Sequence, residues 1–174
     1  MIMRLFVAIN FNNDTRLRLL ALRDELRGKS QRGNFSTAEN LHLTLVYLGE
    51  RDCNQTNAVK SVLGDVKVRQ FSVTVDCVGR FKRYSGDIWW TGLQENKPLL
   101  TLQRDLTERL TTLGFTLDRR NFSPHITLGR EIVTDAKPWK FETFGETVSA
   151  IDLMKSERIS GNLTYTSIFR HPLN

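Results

Sequence analysis

The chain has 174 residues, 40% hydrophobic and 25% charged, the balance of a soluble globular protein large enough for a core of its own. It contains no apolar run long enough for a membrane span, and Met1-Ile2-Met3-Arg4-Leu5 leads straight into a strand, so neither a membrane anchor nor a secretory leader is expected and a cytoplasmic setting is. A net charge of +6 and a pI near 9.6 suit an anionic partner without requiring nucleic acid.

Residues 4–10 (Arg-Leu-Phe-Val-Ala-Ile-Asn) read as a strand. A helix is predicted from Asp14, with Leu19, Leu22 and Leu26 at near-helical spacing and Gly28 as its stop. The apolar run Leu41 to Gly49 reads as a strand, followed by a weaker helix near 55–64 and a strand at 70–78. Asp87 to Leu93 is a further strand. Pro98 then opens a helix whose Leu99, Leu102, Leu106, Leu110 and Leu113 form one stripe, ended by Gly114. Phe122 to Gly129 reads as a strand, residues 131–146 as an irregular connection, and 147–155 and 163–170 as closing strands. Cys53 and Cys77 lack metal-ligand spacing and are expected as reduced thiols.

One tetrapeptide occurs twice along this path. His42-Leu43-Thr44-Leu45 and His125-Ile126-Thr127-Leu128 share the pattern H-x-T-apolar, 83 residues apart, and use two of the three histidines. Successive side chains of a strand alternate between faces. His42 and Thr44 therefore project together while Leu43 and Leu45 enter the core, and His125 and Thr127 do likewise. The duplication is larger than the motif: each copy closes a strand-helix-strand unit, with the histidine 28 residues after the helix start in the first half and 27 in the second. Two similar lobes related by a pseudo-twofold would face their His-Thr pairs across a cleft.

Two imidazoles on one cleft suit acid-base chemistry, because a pKa near 6.5 lets one hold a proton while the other lacks it. In-line displacement at phosphorus needs a base on the attacking water and an acid on the departing alkoxide, from opposite sides. Threonine hydroxyls beside them can donate to the non-bridging oxygens. A metal centre would want Asp, Glu or Cys at ligand spacing beside the histidines, and none is evident.

With its paired motifs, the opening Arg4-Leu5-Phe6-Val7-Ala8-Ile9, the lead-in Glu39-Asn40-Leu41 and the segment Ser123 to Arg130, the chain resembles the two-histidine (2H) phosphoesterases, specifically the LigT-like RNA 2′,3′-cyclic phosphodiesterases. The resemblance implies an α+β fold over residues 1–174: a single domain of two intertwined, quasi-symmetric lobes, each an antiparallel sheet with flanking helices, around a central cleft. It implies hydrolysis of 2′,3′-cyclic phosphates, on RNA ends or nucleosides, to 2′-phosphates by a monomer without metal or cofactor, and it admits reversible 2′-5′ RNA ligation. His42 and His125 become the catalytic pair, and Thr44 and Thr127 the phosphate ligands. The assignment taken is His125 as base and His42 as acid, although near-symmetric motifs allow the exchange. Another cyclic phosphate, a 2′-5′ oligonucleotide, or RNA binding without turnover are the competing readings.

Tyr47 and Arg130 each follow a motif histidine by five residues, and across a cleft they could sandwich a nucleobase. Five is the wrong parity for the catalytic face of a flat strand, so strand twist, or a kink near Leu48-Gly49 and at Gly129, is needed to bring them round. Without either, Tyr47 belongs to the core and Arg130 to a phosphate or carboxylate. Arg80-Phe81-Lys82-Arg83-Tyr84 reads as an RNA guide or a solvated turn, Arg119-Arg120 as phosphate contacts or surface charge, and His171 as a solvated tail residue.

Overall fold

Three short polar side chains start the three helices. Asn12 caps α1 (Asn13–Gly28) through the Thr15 amide, Asn96 caps α3 (Lys97–Thr112) through the Leu99 amide, and Asp52 forms a capping box with Gln55 at the head of α2 (Cys53–Gly64). Gly114 takes the left-handed conformation (φ 91) that stops α3. Gly28 has no such role and is simply the last residue of α1. The computed structural model describes all 174 residues. Its nine strands are β1 (Met3–Asn10), β2 (Ser30–Phe35), β3 (His42–Arg51), β4 (Phe71–Phe81), β5 (Asp87–Leu93), β6 (His125–Thr134), β7 (Trp139–Val148), β8 (Ala150–Ile159) and β9 (Asn162–Pro172). No helix is long and apolar enough to cross a membrane.

All pairings are antiparallel, in the order β7-β4-β5-β6-β3-β1-β8-β9, with β2 added on β6. The order reads the same from both ends about the β6/β3 junction: β6 answers β3, β5 answers β1, β4 answers β8 and β7 answers β9. That junction is thin, a single residue pair, Leu43 opposite Ile126. Two antiparallel halves thus meet at one point and diverge, which opens a cleft on one face. The helices cross over. α1 follows β1 but packs on β6 and β7, while α3 follows β5 but packs on β3 and α2. Leu19, Leu22 and Leu26 of α1 and Leu99, Leu102, Leu106 and Leu110 of α3 are buried in one apolar cluster with residues of both halves.

The α+β class, the two-half arrangement and the helical stripes agree with expectation, and the departures have local causes. Leu113 lies in the capping turn beyond the stripe and is 54% exposed. The predicted irregular stretch 131–146 is mostly strand, the end of β6 and nearly all of β7. Its alternation is masked because Glu131 adopts a left-handed conformation (φ 53) and because β7 is an edge strand with polar outward residues. β2, Ser-Gln-Arg-Gly-Asn-Phe, carries no apolar alternation and forms because β6 offers it a free edge. His171 is not a solvated tail residue: it lies in β9, half-buried, and its Nε2–H donates to the Val66 carbonyl at 2.9 Å.

Candidate active site

Strand alternation and two bulges place the six candidate side chains. Leu43 and Leu45 on β3 and Ile126 and Leu128 on β6 are buried, leaving the His-Thr pairs on the opposite face. Each strand then carries an extra residue. Opposite β1, Val7 pairs with Val46 and Ala8 with Thr44, so Leu45 is skipped. Opposite β5, Trp89 pairs with Gly129 and Trp90 with Thr127, so Leu128 is skipped. Each bulge buries two consecutive residues, Leu45-Val46 and Leu128-Gly129, and inverts the parity beyond it. Tyr47 and Arg130 thereby return to the histidine face. Of the two means expected, twist or kink, the strands use kinks, and one lies at Gly129. The one that matters in β3 lies before Tyr47, at Leu45, with a second skip at Leu48 beside Gly49 (φ 74).

The result is one cleft of about 1390 Å³ lined by His42, Thr44, Tyr47, His125, Thr127 and Arg130 together with polar residues of β2 and the β8–β9 hairpin. Leu43 opposite Ile126 sets the floor. Across an antiparallel seam His42 then stands beside Thr127, and Thr44 beside His125. The two histidines occupy opposite corners, with Cα atoms roughly 8 Å apart from strand spacing and rise.

Backbone carbonyls fix both tautomers. Nδ1 of His42 lies 2.8 Å from the Asn40 carbonyl, and Nδ1 of His125 lies 2.7 Å from the Ser123 carbonyl. A carbonyl only accepts, so each Nδ1 carries a hydrogen and each Nε2 is the working atom. Nε2 of His42 accepts from the Thr44 hydroxyl at 2.8 Å, whereas Nε2 of His125 has no protein partner. Aromatic rings dry both sites. Phe6 and Tyr165 flank His42, with centroids 4.8 and 5.1 Å away. Phe81 and Trp90 flank His125 at 5.2 and 6.2 Å. Burial lowers the His42 pKa to about 4 against the pull of its carbonyl bond, and it also lowers that of His125; the Arg130 charge adds to both shifts. Arg130 has no carboxylate partner, and Tyr47 is 52% exposed rather than part of the core.

A family profile described as the 2′-5′ RNA ligase superfamily matches residues 15–158. The chain belongs to this superfamily. The RNA 2′,3′-cyclic phosphodiesterase of Archaeoglobus fulgidus is 32% identical over 83% of this chain and 85% of its own length. The Escherichia coli protein of the same name is 30% identical over 98% and 96%. Among solved structures, E. coli LigT complexed with 3′-AMP superposes with a TM-score of 0.90 at 27% identity, over 99% of both chains. With relatives of this identity and coverage named as phosphodiesterases, the protein is an enzyme of the phosphodiesterase kind.

Some candidates fall outside this superfamily cleft. Arg80 pairs with Asp87, Arg83 to Gly86 form a turn with Tyr84 fully exposed, and Arg120 is tied to Asp118 on the surface. Cys53 and Cys77 are free. Phe81, expected only within an RNA guide or solvated turn, and Tyr165, expected at no site, flank the two histidines. Phe81 sits in a segment whose basic neighbours suggest a loop, yet it is the last residue of β4. Tyr165 alternates in β9, but only the pairing of β9 through β8 with β1 brings it over Phe6 to His42.

Proposed function

We propose that this protein opens 2′,3′-cyclic phosphate ends of RNA to 2′-phosphates by two-histidine acid-base catalysis. The observation that carries the reading is the meeting of two His-Thr pairs across the Leu43–Ile126 seam in one cleft. It is the activity named for the Archaeoglobus and E. coli relatives. Water attacks phosphorus in line and passes its proton to Nε2 of His125. The bond from phosphorus to O3′ breaks, and Nε2–H of His42 supplies the proton that makes the 3′-hydroxyl. Thr44 and Thr127 donate to the non-bridging oxygens. When His42 is protonated its Nε2–H no longer accepts from Thr44, which frees that hydroxyl for the phosphate.

Tyr47 and Arg130 then hold the nucleobase between ring and guanidinium. A second reading of Arg130 has an observation of its own: its charge is unpaired and acts on both imidazoles, the position of a phosphate ligand. The same site could run the step with an RNA 5′-hydroxyl in place of water, which is 2′-5′ ligation. The proposed setting is a cytoplasmic monomer acting on RNA ends as one unit, and the reaction as written draws on no cofactor.

Purified protein should hydrolyse adenosine 2′,3′-cyclic phosphate in EDTA. His42→Ala and His125→Ala should each lose at least about 10² in rate, the scale of a missing general acid or base. Full activity in either folded variant overturns the proposal. A substrate panel of other cyclic phosphates and 2′-5′ oligonucleotides tests the substrate. Tight RNA binding with no turnover would make the protein a binding module.

A further inference from the structure

The two halves of the site are almost interchangeable, which poses a chemical problem. A 2′,3′-cyclic phosphate has two ester oxygens, and two equivalent His-Thr pairs could release either one. The rings that meet the imidazoles edge-on differ in one atom that bears on this, while the Trp90 indole nitrogen beside His125 is buried away from the cleft. Tyr165 meets His42 edge-on, with centroids 5.1 Å apart and planes at 83°. Phe81 meets His125 in the same way, at 5.2 Å and 89°. They come from strands that do not answer each other, β9 and β4, so the match is of position around the imidazole. What distinguishes the two rings is a phenol hydroxyl, present only beside His42.

That hydroxyl is available to a ligand. Tyr165 lines the cleft, and its ring is held by Phe6 (5.0 Å, edge-on) and by His42. Its oxygen bonds to no protein group, although the polar atoms of both imidazoles that face the backbone are engaged. Burial raises its pKa against the opposing charge of Arg130, so it stays a donor through the neutral range. It stands beside His42, where the phosphate is proposed to bind, in the cleft that Tyr47 and Arg130, the proposed base clamp, also line. Between phosphate and base lies the ribose.

We propose that the Tyr165 hydroxyl hydrogen-bonds the ribose oxygen that departs next to His42, so that only the orientation delivering O3′ to His42 is productive. The proton still comes from His42, and Tyr165 shares the developing negative charge on O3′ without losing its own hydrogen. This rests on the activity proposed above and adds the source of its regiochemistry.

Tyr165→Phe tests it, because the ring contacts with Phe6 and His42 survive and the site acquires the ring type already present at His125. With adenosine 2′,3′-cyclic phosphate, the wild type should give only the 2′-phosphate by phosphorus NMR. The variant should lose about three- to tenfold in kcat/KM, the scale of one neutral hydrogen bond, and release a measurable share of 3′-phosphate. Its pH profile should keep the wild-type limbs, since the surroundings of His42 are unchanged. Wild-type kinetics with a single product in Tyr165→Phe overturns the inference. A loss as deep as that of His42→Ala in a variant with native melting also overturns it, by making Tyr165 the proton donor. Binding of adenosine 2′-phosphate, whose free 3′-hydroxyl would meet Tyr165, separates the two proposals. If the wild type opens no cyclic phosphate, the functional reading fails by itself, and equal calorimetric affinity of wild type and Tyr165→Phe for this nucleotide still overturns the role of Tyr165.

Discussion

His42 and His125 occupy equivalent motifs but unequal surroundings. His42 is the drier, its pKa lowered to about 4, and its Nε2 is already engaged by Thr44. His125 keeps Nε2 free toward the cleft, where an attacking water can sit. The free Nε2 supports His125 as base, whereas the lowered pKa of His42 in the free protein runs against the acid role, which requires the substrate anion to raise it once bound. A thiolate leaves without protonation far more readily than an alkoxide. A cyclic phosphate with sulfur in place of the bridging 3′-oxygen should therefore return His42→Ala to within about tenfold of wild type and leave His125→Ala impaired, since the base is still needed. The opposite pattern in steady-state rates would exchange the two roles. The histidines and threonines were legible from residue type and alternation alone. Tyr165 was not, because its importance comes from a contact across three strands that no local spacing encodes.

At the scale of elements, the bulges and β2 decide whether the side chains after each motif reach the cleft. Gly129 is the tightest point of the second bulge. A Cβ there would meet the Asn34 carbonyl of β2 at 2.9 Å and the Ile132 Cδ1 at 2.7 Å. The methyl of Ile132 can swing away, but the β2 backbone must move. Gly129→Ala should cost about 1–3 kcal/mol of stability by urea unfolding, the usual range for overpacking. It should also lower kcat/KM for cyclic phosphates through a displaced Arg130. Unchanged stability and kinetics would mean that β2 yields freely and does not hold the β6 bulge. The helices and the strands β1, β3, β5 and β6 were legible because each has a strong period or a cap. β2 and β7 were not, because both are polar and exist by pairing with a neighbour. The parity conflict at Tyr47 and Arg130 was itself a sequence signal: a strand that must present residues zero, two and five on one face needs a bulge between two and five, and both strands have it.

At the scale of the whole molecule, packing a half-buried histidine between Phe6, Tyr165 and the seam couples the fold to pH. Unfolded, His42 binds a proton with a pKa near 6.5; folded, with one of about 4. Between those values the unfolded chain holds more protons, so stability rises with pH. The contribution is complete above about pH 6.5 and is lost as pH falls through about 4, and His125, lowered in the same direction, adds to it. For His42 the shift corresponds to at most about 3 kcal/mol. Asp118, held at about 2 by the Arg120 side chain, titrates below this window and does not confuse it. Urea unfolding at stepped pH should show wild-type stability falling more steeply from pH 6.5 to 4 than that of His42→Ala, whatever their offset at pH 7. Parallel curves would mean that water reaches His42 in the free protein and that its pKa is ordinary. A bound 2′-nucleotide should flatten the wild-type slope, because its phosphate favours the charged imidazole and raises the folded-state pKa toward the unfolded one. The same shift places the limbs of kcat/KM, which report the free enzyme, on the acid side of those of kcat, which report the complex. The limbs belong to the histidine pair, so their separation reports the substrate's pull on both.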